Sequence, residues 1–220
     1  MKKIAIAILA ITLFTACEFK VNSKNNDENQ PDPMAEKQDA MKTETADLPF
    51  PLQTGFSDAY LKATFWKCNY SSAGPSHTYW VILPNTLRPT TLEPEVLKPV
   101  ALTNIGIYNT IDKTLPYIEV RFAFENVADS ITPSAWLLHK IKITGESVLQ
   151  ENNFQYEDGQ KNLDVLTSKT LPDGEKVISR FVGQKKGNDY YLIKVSCNEK
   201  DYLTQANTIF HVVSHWGAKS

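Results

Sequence analysis

The sequence predicts an α+β fold in which an antiparallel sheet is packed by a central helix and a C-terminal helix. Segments rich in Val, Ile, Thr and aromatic residues follow one another at hairpin spacing, as antiparallel strands do. Helix signals occur twice, once after Thr132 and once after Asn198. The order of strands, helix, strands and helix is typical of α+β domains. A mostly-β sandwich or barrel with a C-terminal helix is the alternative.

The first strands are predicted at 63–70 and 78–83, because both segments are rich in Thr, Phe, Trp, Tyr and Val. The turn-forming stretch Ser-Ser-Ala-Gly-Pro-Ser between them favours a hairpin. Further strands are predicted at 105–110 and 117–124. The second of these has two alternating sets of residues, which predicts one buried face. The apolar set is Ile118, Val120, Phe122 and Phe124, and the other set is Glu119, Arg121 and Ala123.

The central helix is predicted to begin at Thr132-Pro133, since Thr can cap a helix and Pro suits its first position. Trp136 and Ile141 contribute to an apolar stripe, and Gly145 stands where a helix stop is expected. Four more strands are predicted, at 147–156, 163–169, 176–182 and 189–197. The last two are joined by a polar hairpin tip that carries Lys185 and Lys186.

The C-terminal helix is predicted to run from a cap at Asn198 to a stop at Gly217. Asp201 follows Asn198 in capping-box spacing. Apolar residues share one face at helical periodicity. These are Tyr202, Leu203, Ala206, Ile209, Phe210 and Val213.

The late hairpin followed by a terminal helix, together with the central helix that carries Trp136, resembles PsbP-like domains, which occur in envelope and thylakoid-lumen proteins. The resemblance covers the order of elements over about half of the domain and includes no diagnostic motif. It implies the same fold class and no particular function.

A short repeat, Pro-x-x-Leu-charged, follows the second predicted strand. A proline every five residues is incompatible with a continuous helix or a central strand. We expect a long connection that its leucines hold to the domain, or a series of short helical turns. The alternative is a docking segment, because extended proline-bearing chains are ordered at low entropic cost. The leucines of the three copies are Leu87, Leu92 and Leu97.

The first seventeen residues carry a targeting signal. Two lysines precede an uncharged apolar run, 4–14, which is too short to span a bilayer as a helix and therefore predicts a secretory signal. The small pair Thr-Ala before Cys17 resembles the lipobox of bacterial lipoproteins, with Phe14 where that family prefers Leu. The resemblance implies cleavage before Cys17, diacylation of its thiol and acylation of the new amino terminus. Ordinary signal cleavage or a retained anchor is the alternative.

The sequence divides into a signal peptide at 1–16, a lipidated cysteine with a disordered acidic tether at 17–47, and a globular domain at 48–220. The tether is poor in aliphatic and aromatic residues, so it cannot bury enough surface to offset the ordering of its backbone. Eight acidic residues and four lysines in 18–47 give it a net charge of −4. A flexible coil of this length reaches roughly 30 Å, enough to hold the domain off a membrane.

The domain at 48–220 is close to neutral, which argues against nucleic acid as a partner because that partner needs a basic stripe. The domain contains two cysteines, Cys68 and Cys197. In an oxidising envelope compartment, such a pair predicts one disulfide. Two unpaired buried thiols, which behave as small apolar groups, are the alternative.

The search for catalytic, metal and cofactor motifs gives no match. The sequence lacks the signatures of serine hydrolases, zinc metalloproteases, phosphate-binding loops and dithiol redox sites. His211 and His215 have the spacing of a metal chelate on a helix, but a helical wheel places them opposite the apolar face, so we expect them to face solvent. We therefore expect no metal and no cofactor. His77 and His139 have no partner that the sequence reveals, and the four tryptophans are expected in the core.

Together these observations predict a membrane-anchored envelope lipoprotein, without enzymatic activity, that binds another envelope component. The expected partners are the bilayer, through acylated Cys17, and an envelope protein. In lipoprotein families Asp after the acylated cysteine is the usual inner-membrane retention signal. This chain has Glu18 there, so the resemblance favours the outer membrane. We expect the domain to face the periplasm, although Glu18 carries no information about that side. An envelope-polymer hydrolase and a small-ligand carrier are the alternatives. No residue is assigned a catalytic role.

Overall fold

Two antiparallel sheets and three helices make up the part of the chain that the structure, a computed structural model, describes. That part comprises residues 48–71, 77–90, 102–127, 131–155 and 159–219. All of them belong to one compact unit, Lys42–Ser220. The predicted α+β class is therefore confirmed.

The helices are α1 (Asp58–Thr64), α2 (Pro133–Ile143) and α3 (Glu199–Ser214). The strands are β1 (Phe65–Ser71), β2 (Thr78–Pro84), β3 (Leu87–Pro89), β4 (Thr103–Thr110), β5 (Ile118–Asn126), β6 (Ser147–Gln155), β7 (Lys161–Thr170), β8 (Lys176–Lys186), β9 (Asp189–Asn198) and β10 (Trp216–Lys219). The sequence did not predict α1, β3 or β10.

The small sheet has the order β1-β2-β10, and the large sheet has the order β3-β4-β5-β9-β8-β7-β6. Every strand pair in both sheets is antiparallel. The predicted hairpin of 176–182 and 189–197 is confirmed as β8 and β9, which lie in the middle of the large sheet. β9 also pairs with β5, which is far away in the sequence.

The large sheet has a core on each of its faces, because successive side chains of a strand point to opposite sides. On one face, α3 and the small sheet cover Val120, Phe122 and Ile193. On the other face, α2 covers Phe181 and Leu192. The alternation predicted in 117–124 is confirmed, and the second face of β5 is the one that the candidate site uses.

The central helix begins as the sequence predicts. Thr132 is the N-cap of α2 and its side-chain oxygen accepts a hydrogen bond from the Ala135 amide at 3.2 Å. Pro133 opens the helix. Gly145 follows with a φ of 72°, a left-handed conformation that glycine adopts without strain and that reverses the chain after the helix.

The C-terminal helix differs from its prediction in two ways. Asn198 is the N-cap of α3 but makes no side-chain capping bond. The helix ends at Ser214, and the predicted stop Gly217 lies inside β10 instead. Trp216–Lys219 leaves the helix because it pairs with β2 as the third strand of the small sheet. Local helix periodicity contains no information about that distant partner.

The first described residues, 48–52, form a strap that three side chains of the domain hold by its carbonyl groups. Gln150 donates to the Leu48 carbonyl at 2.7 Å, Tyr202 to Pro49 at 2.6 Å and Arg180 to Pro51 at 2.8 Å. The guanidinium carbon of Arg180 also lies 4.2 Å from the centroid of the Phe50 ring. These donors come from β6, α3 and β8, so the strap crosses the α3 side of the large sheet.

Candidate functional site

A groove of about 520 Å³ lies between α2 and the open part of the large sheet, and we call it the sheet–helix groove. It combines an apolar lining with charged side chains. The apolar residues are Leu102, Ala123, Ile143, Leu171, Phe181 and Leu192, and the polar ones are Glu119, Arg121, Lys140, Thr144, Glu146, Lys169 and Lys194. No other cavity found among the described residues brings so many charged groups together.

Strand alternation places the sheet residues of the groove. On β5, Val120 and Phe122 point into the α3-side core, so Glu119, Arg121 and Ala123 point to the α2 side. On β9, Leu192 and Lys194 occupy the equivalent positions, and β5 and β9 are hydrogen-bonded neighbours. The set predicted to be the outward face of β5 is thus part of the wall of a groove.

A buried ion pair fixes α2 against β5. The Lys140 ammonium lies 2.7 Å from Glu125 Oε2, and the side chain of Lys140 is almost fully buried. The indole N–H of Trp136, one turn earlier on the helix, donates to the same oxygen at 2.6 Å. Because two groups of α2 share one carboxylate, this contact determines how the helix sits along the strand and how wide the groove is.

The carboxylate of Glu146 has both of its oxygens engaged. Lys194 Nζ donates to Oε1 at 2.5 Å, and the Thr167 hydroxyl donates to Oε2 at 2.5 Å. Glu146 follows Gly145 directly, so the reversal after α2 delivers this carboxylate to the sheet. The Lys194 ammonium also lies 5.2 Å from the centroid of the Phe181 ring. Charge and aromatic surface therefore meet at one point of the groove.

Lys169 differs from the other cations of the groove, because its partner is neutral. Its ammonium donates to the Thr144 carbonyl at 2.7 Å, at the C-terminal end of α2. Arg121 pairs with Glu119 at 2.9 Å, and Lys140 and Lys194 pair with glutamates as described above. Among the described residues, Lys169 is therefore the one cation of the groove without a carboxylate partner.

The sequence-predicted attachment site, Cys17, lies outside the described residues, and so do Leu92 and Leu97. Leu87 lies in β3 at the edge of the large sheet, where it pairs with Thr110 and is fully buried. Its side chain holds the start of the proline repeat to the domain and is not accessible to a docking partner.

The predicted disulfide does not form, because Cys68 and Cys197 are both free and buried. They belong to different sheets, on β1 and β9. The Cys68 thiol instead lies 3.2 Å from the Tyr108 hydroxyl. Burial, reinforced by Asp201, raises the pKa of the Cys197 thiol to about 12, so this cysteine is a protonated core residue.

The expectation that both His211 and His215 face solvent is wrong for His211, which is 3% exposed. The ring of Phe65 covers it at a centroid distance of 4.7 Å, because the segment around α1 packs on the second side of α3. Conversely, Leu203, assigned to the apolar face, is 68% exposed. Within the described ranges, no three His, Cys, Asp or Glu side chains are grouped as a metal site.

Other side chains singled out in the sequence have partners that only the tertiary structure reveals. His77 Nδ1 lies 3.0 Å from the Tyr191 hydroxyl, and the His77 ring stacks on Phe124. Away from these residues, Asp164 forms a buried pair with Arg180. Two of the four tryptophans, Trp136 and Trp216, are in the core as expected, whereas Trp66 is 40% exposed.

The sequence contained part of the signal for the groove. Alternation in β5 showed that Glu119 and Arg121 share a face, and Lys194 lies at such a position in the predicted strand 189–197. The pairing of β5 with β9 joins these two strands, and it connects segments separated by a helix and three strands. Nothing local in the sequence specifies that pairing.

No protein-family model matches the chain, and no curated protein is similar to it in sequence. Among solved structures, the chain is similar to the cyanobacterial PsbP protein CyanoP from Synechocystis sp. PCC 6803, with 11% identity and a TM-score of 0.49, covering 78% of this chain and 99% of that one. It is also similar to LpqN of Mycobacterium tuberculosis, which is involved in cell envelope biogenesis, with 12% identity and a TM-score of 0.45, covering 75% and 98%. The Saccharomyces cerevisiae Ran-binding protein Mog1p has 14% identity and a TM-score of 0.45, covering 70% and 96%.

These likenesses are too distant to transfer a function to this chain. None of the helices in the described residues combines the length and the hydrophobicity that crossing a membrane requires.

Proposed function

We propose that this chain is a lipid-anchored cell-envelope protein whose domain binds an anionic amphipathic component of the envelope in the sheet–helix groove. The proposed binding activity rests on the composition of the groove. Its apolar lining lies next to four cations, one of which, Lys169, pairs with a neutral carbonyl and with no carboxylate of the described residues. The bound component has an apolar body and a negatively charged group, such as a carboxylate or a phosphate.

The size of the groove suits a small molecule or one chain of a larger one. Ligand pockets are typically about 300–1,000 Å³ and mostly apolar, with a few polar groups that fix orientation. The groove, at about 520 Å³, lies within this range. Its apolar groups come from the sheet, from the end of α2 and from Leu102, so a ligand would be covered on more than one side.

The ion pairs of the groove favour binding over acid–base catalysis. Both lining carboxylates, Glu119 and Glu146, are held by cations. The one hydroxyl bonded to Glu146, that of Thr167, is fully buried. Groups that are tied in this way present fixed charges to a ligand, whereas a general acid or base must exchange a proton with it.

The anchor part of the proposal comes from the sequence. The signal segment and the lipobox-like residues before Cys17 support cleavage and acylation at that cysteine. Two or three acyl chains give stable membrane attachment, where one chain gives only marginal binding. Glu18 after the cysteine supports placement in the outer membrane. The proposal places the domain on the periplasmic side. The acidic tether would then carry the domain to its ligand.

Binding is tested with dansyl-labelled undecanoic acid, a fluorescent probe that has an apolar chain and a carboxylate. We expect saturable fluorescence enhancement that weakens at least fivefold in Lys169→Gln, since this change removes the uncompensated cation of the groove. Lys161→Gln is the matched control, because Lys161 lies on the same strand, is exposed and does not line the groove.

A second pair of variants tests the apolar part of the groove. Ile143 lines the groove and is 43% exposed, whereas Val148 is 46% exposed on β6 and lies outside it. We expect Ile143→Gln to weaken probe binding severalfold and Val148→Gln to leave it unchanged. Equal binding by all four variants and the parent chain would exclude the groove as the binding site.

The anchor is tested separately by intact-mass measurement of the protein purified from membranes. We expect a chain that begins at Cys17 and carries the added mass of its acyl groups. A chain with an unmodified cysteine, or one cleaved elsewhere, would refute the lipid anchor and leave the binding proposal to its own test.

A further inference from the structure

A second surface of interest lies where α1 and β1 meet the C-terminal end of α3. A shallow depression of about 300 Å³ occurs there, which we call the basic patch. Its lining includes Leu61, Lys62, Trp66, Lys67, His211 and His215. Its described lining contains no carboxylate, in contrast to the sheet–helix groove on the other face of the large sheet.

The two lysines of the patch are not neutralised. Lys62 and Lys67 are both exposed, and neither forms an ion pair with a described acidic residue. Lys67 lies over the face of Trp80, 5.0 Å from the ring centroid, which leaves its ammonium charge uncompensated. The patch therefore carries a local positive charge on a domain that is close to neutral.

An aromatic side chain stands beside these lysines. Trp66, between the two in sequence, lines the patch with them and is 40% exposed. Large aromatic residues are costly to leave in water but are favoured at the headgroup level of membranes, where one part of the ring is apolar and the other is wet. Lysine next to Trp is typical of surfaces that lie on an anionic bilayer.

Two histidine rings form the floor of the patch. The ring of His215 packs on that of His211 at a centroid distance of 4.1 Å, and His215 donates its Nδ1–H to the His211 carbonyl at 2.8 Å. The His211 side chain is 3% exposed, and its Nδ1 has no hydrogen-bond partner among the described residues. Neither ring brings a negative charge to the patch.

From these observations we propose that the basic patch docks on the anionic phospholipid surface of the membrane that holds the chain, a step that rests on the proposed lipid anchor. Charge complementarity selects anionic headgroup phosphates, and the exposed Trp66 selects a membrane interface over a free ion in water. The sheet–helix groove lies on the opposite face of the large sheet. Docking through the basic patch directs the sheet–helix groove away from the bilayer surface.

The test measures sedimentation of the unlipidated mature chain, 17–220 with Cys17→Ser, with vesicles of phosphatidylglycerol mixed with phosphatidylcholine. We expect binding to these vesicles, weak binding to pure phosphatidylcholine, and loss of binding as salt is raised. Each lysine at an anionic surface contributes about fivefold to the partition coefficient. Lys62→Gln with Lys67→Gln should therefore reduce binding about 25-fold.

The matched control is Lys113→Gln with Lys142→Gln, which removes the same charge from two exposed lysines outside the patch. This control should bind the vesicles as the parent does. Trp66→Ser, at an exposed edge position, should weaken binding without changing the far-ultraviolet circular dichroism. Because the chain used here has no lipid, these results do not depend on whether Cys17 is acylated in the cell.

The proposal of docking on the bilayer would be overturned if the patch and control variants lost vesicle binding equally, or if the parent chain did not bind vesicles. Vesicle binding that appears only after removal of residues 18–47 would also overturn it, because the acidic tether would then be the occupant of the patch. Binding of inorganic phosphate without binding of vesicles would identify a soluble anion as the ligand in place of the membrane.

Discussion

The hydroxyl of Tyr79 fills the space beside Gly106 that any other side chain would need. A Cβ at position 106 would lie 1.9 Å from that hydroxyl oxygen. Tyr79 belongs to β2 of the small sheet and Gly106 to β4 of the large sheet, so this contact joins the two sheets. Tyr79 is held there by stacking on Phe122, at a centroid distance of 4.0 Å, and by the Tyr108 hydroxyl at 3.0 Å.

Gly106→Ala is therefore expected to destabilise the domain by about 3 kcal/mol, because a methyl group cannot enter without moving the buried Tyr79 ring. Urea unfolding would measure the loss. Gly183→Ala is the control, since a Cβ there would have its nearest neighbours at 3.7 Å, which is ordinary contact, and it should change the stability by no more than about 0.5 kcal/mol. A Gly106→Ala variant with the same free energy of unfolding as the parent would show that the sheets are not packed as described.

His211 makes the stability of the domain depend on pH. Burial, with a smaller contribution from the neighbouring His215, lowers the pKa of His211 to about 4 from an ordinary value of 6.5. The unfolded chain therefore takes up this proton first as the pH falls. The stabilisation from neutral His211 is fully present above pH 6.5 and is lost between about 6.5 and 4, up to about 3 kcal/mol.

We expect His211→Phe to reduce this pH dependence, because Phe keeps the contact with Phe65 and cannot be protonated. The measurement is the free energy of unfolding of the parent and the variant across the same pH range. His139→Gln, at an exposed position of α2, should leave the slope unchanged. A parent and a His211→Phe variant with the same slope would contradict burial of the ring.

Removing one partner of the buried pair of Asp164 and Arg180 should destabilise the domain more than replacing both residues by apolar ones. Arg180 is fully buried, and its Nε donates to Asp164 Oδ1 at 2.7 Å. Asp164→Ala leaves an unpaired buried guanidinium and is expected to cost about 3–5 kcal/mol. Asp164→Leu combined with Arg180→Leu should be more stable than Asp164→Ala, as measured by urea unfolding. Asp173→Ala, in an exposed turn, is the control.

Thiol titration tests the absence of the disulfide and, with it, the state of Cys17. In the folded protein, Cys68 and Cys197 should react slowly with Ellman's reagent because both are buried. In denaturant without a reducing agent, we expect two reactive thiols per chain if Cys17 is acylated and three if it is not. A Cys17→Ser chain should give two in either case. If the denatured Cys17→Ser chain had no reactive thiol, Cys68 and Cys197 would have to form a disulfide after all.

Sequence patterns predicted the parts of the fold that depend on near neighbours. The cap at Thr132, the stop at Gly145 and the alternation of β5 all follow from the chemistry of a few adjacent residues. Two of the failures share a cause, which is contact with residues far away in the chain. Trp216–Lys219 is a strand because of β2, and His211 is buried because of Phe65. The groove needed both kinds of information, since its charges were visible in the sequence but their convergence was not.

Pairing of β10 with β2 also affects the order in which the domain can form. Val81 in β2 faces Trp216 in β10, so the small sheet joins residues from near the two ends of the described domain. Synthesis proceeds from the N terminus, so β2 is complete long before β10, its second neighbour, is made. Contacts of such high sequence separation slow folding. Until β10 pairs, the Val81 side of the core stays open, and the incomplete domain is at its most vulnerable to proteases and aggregation.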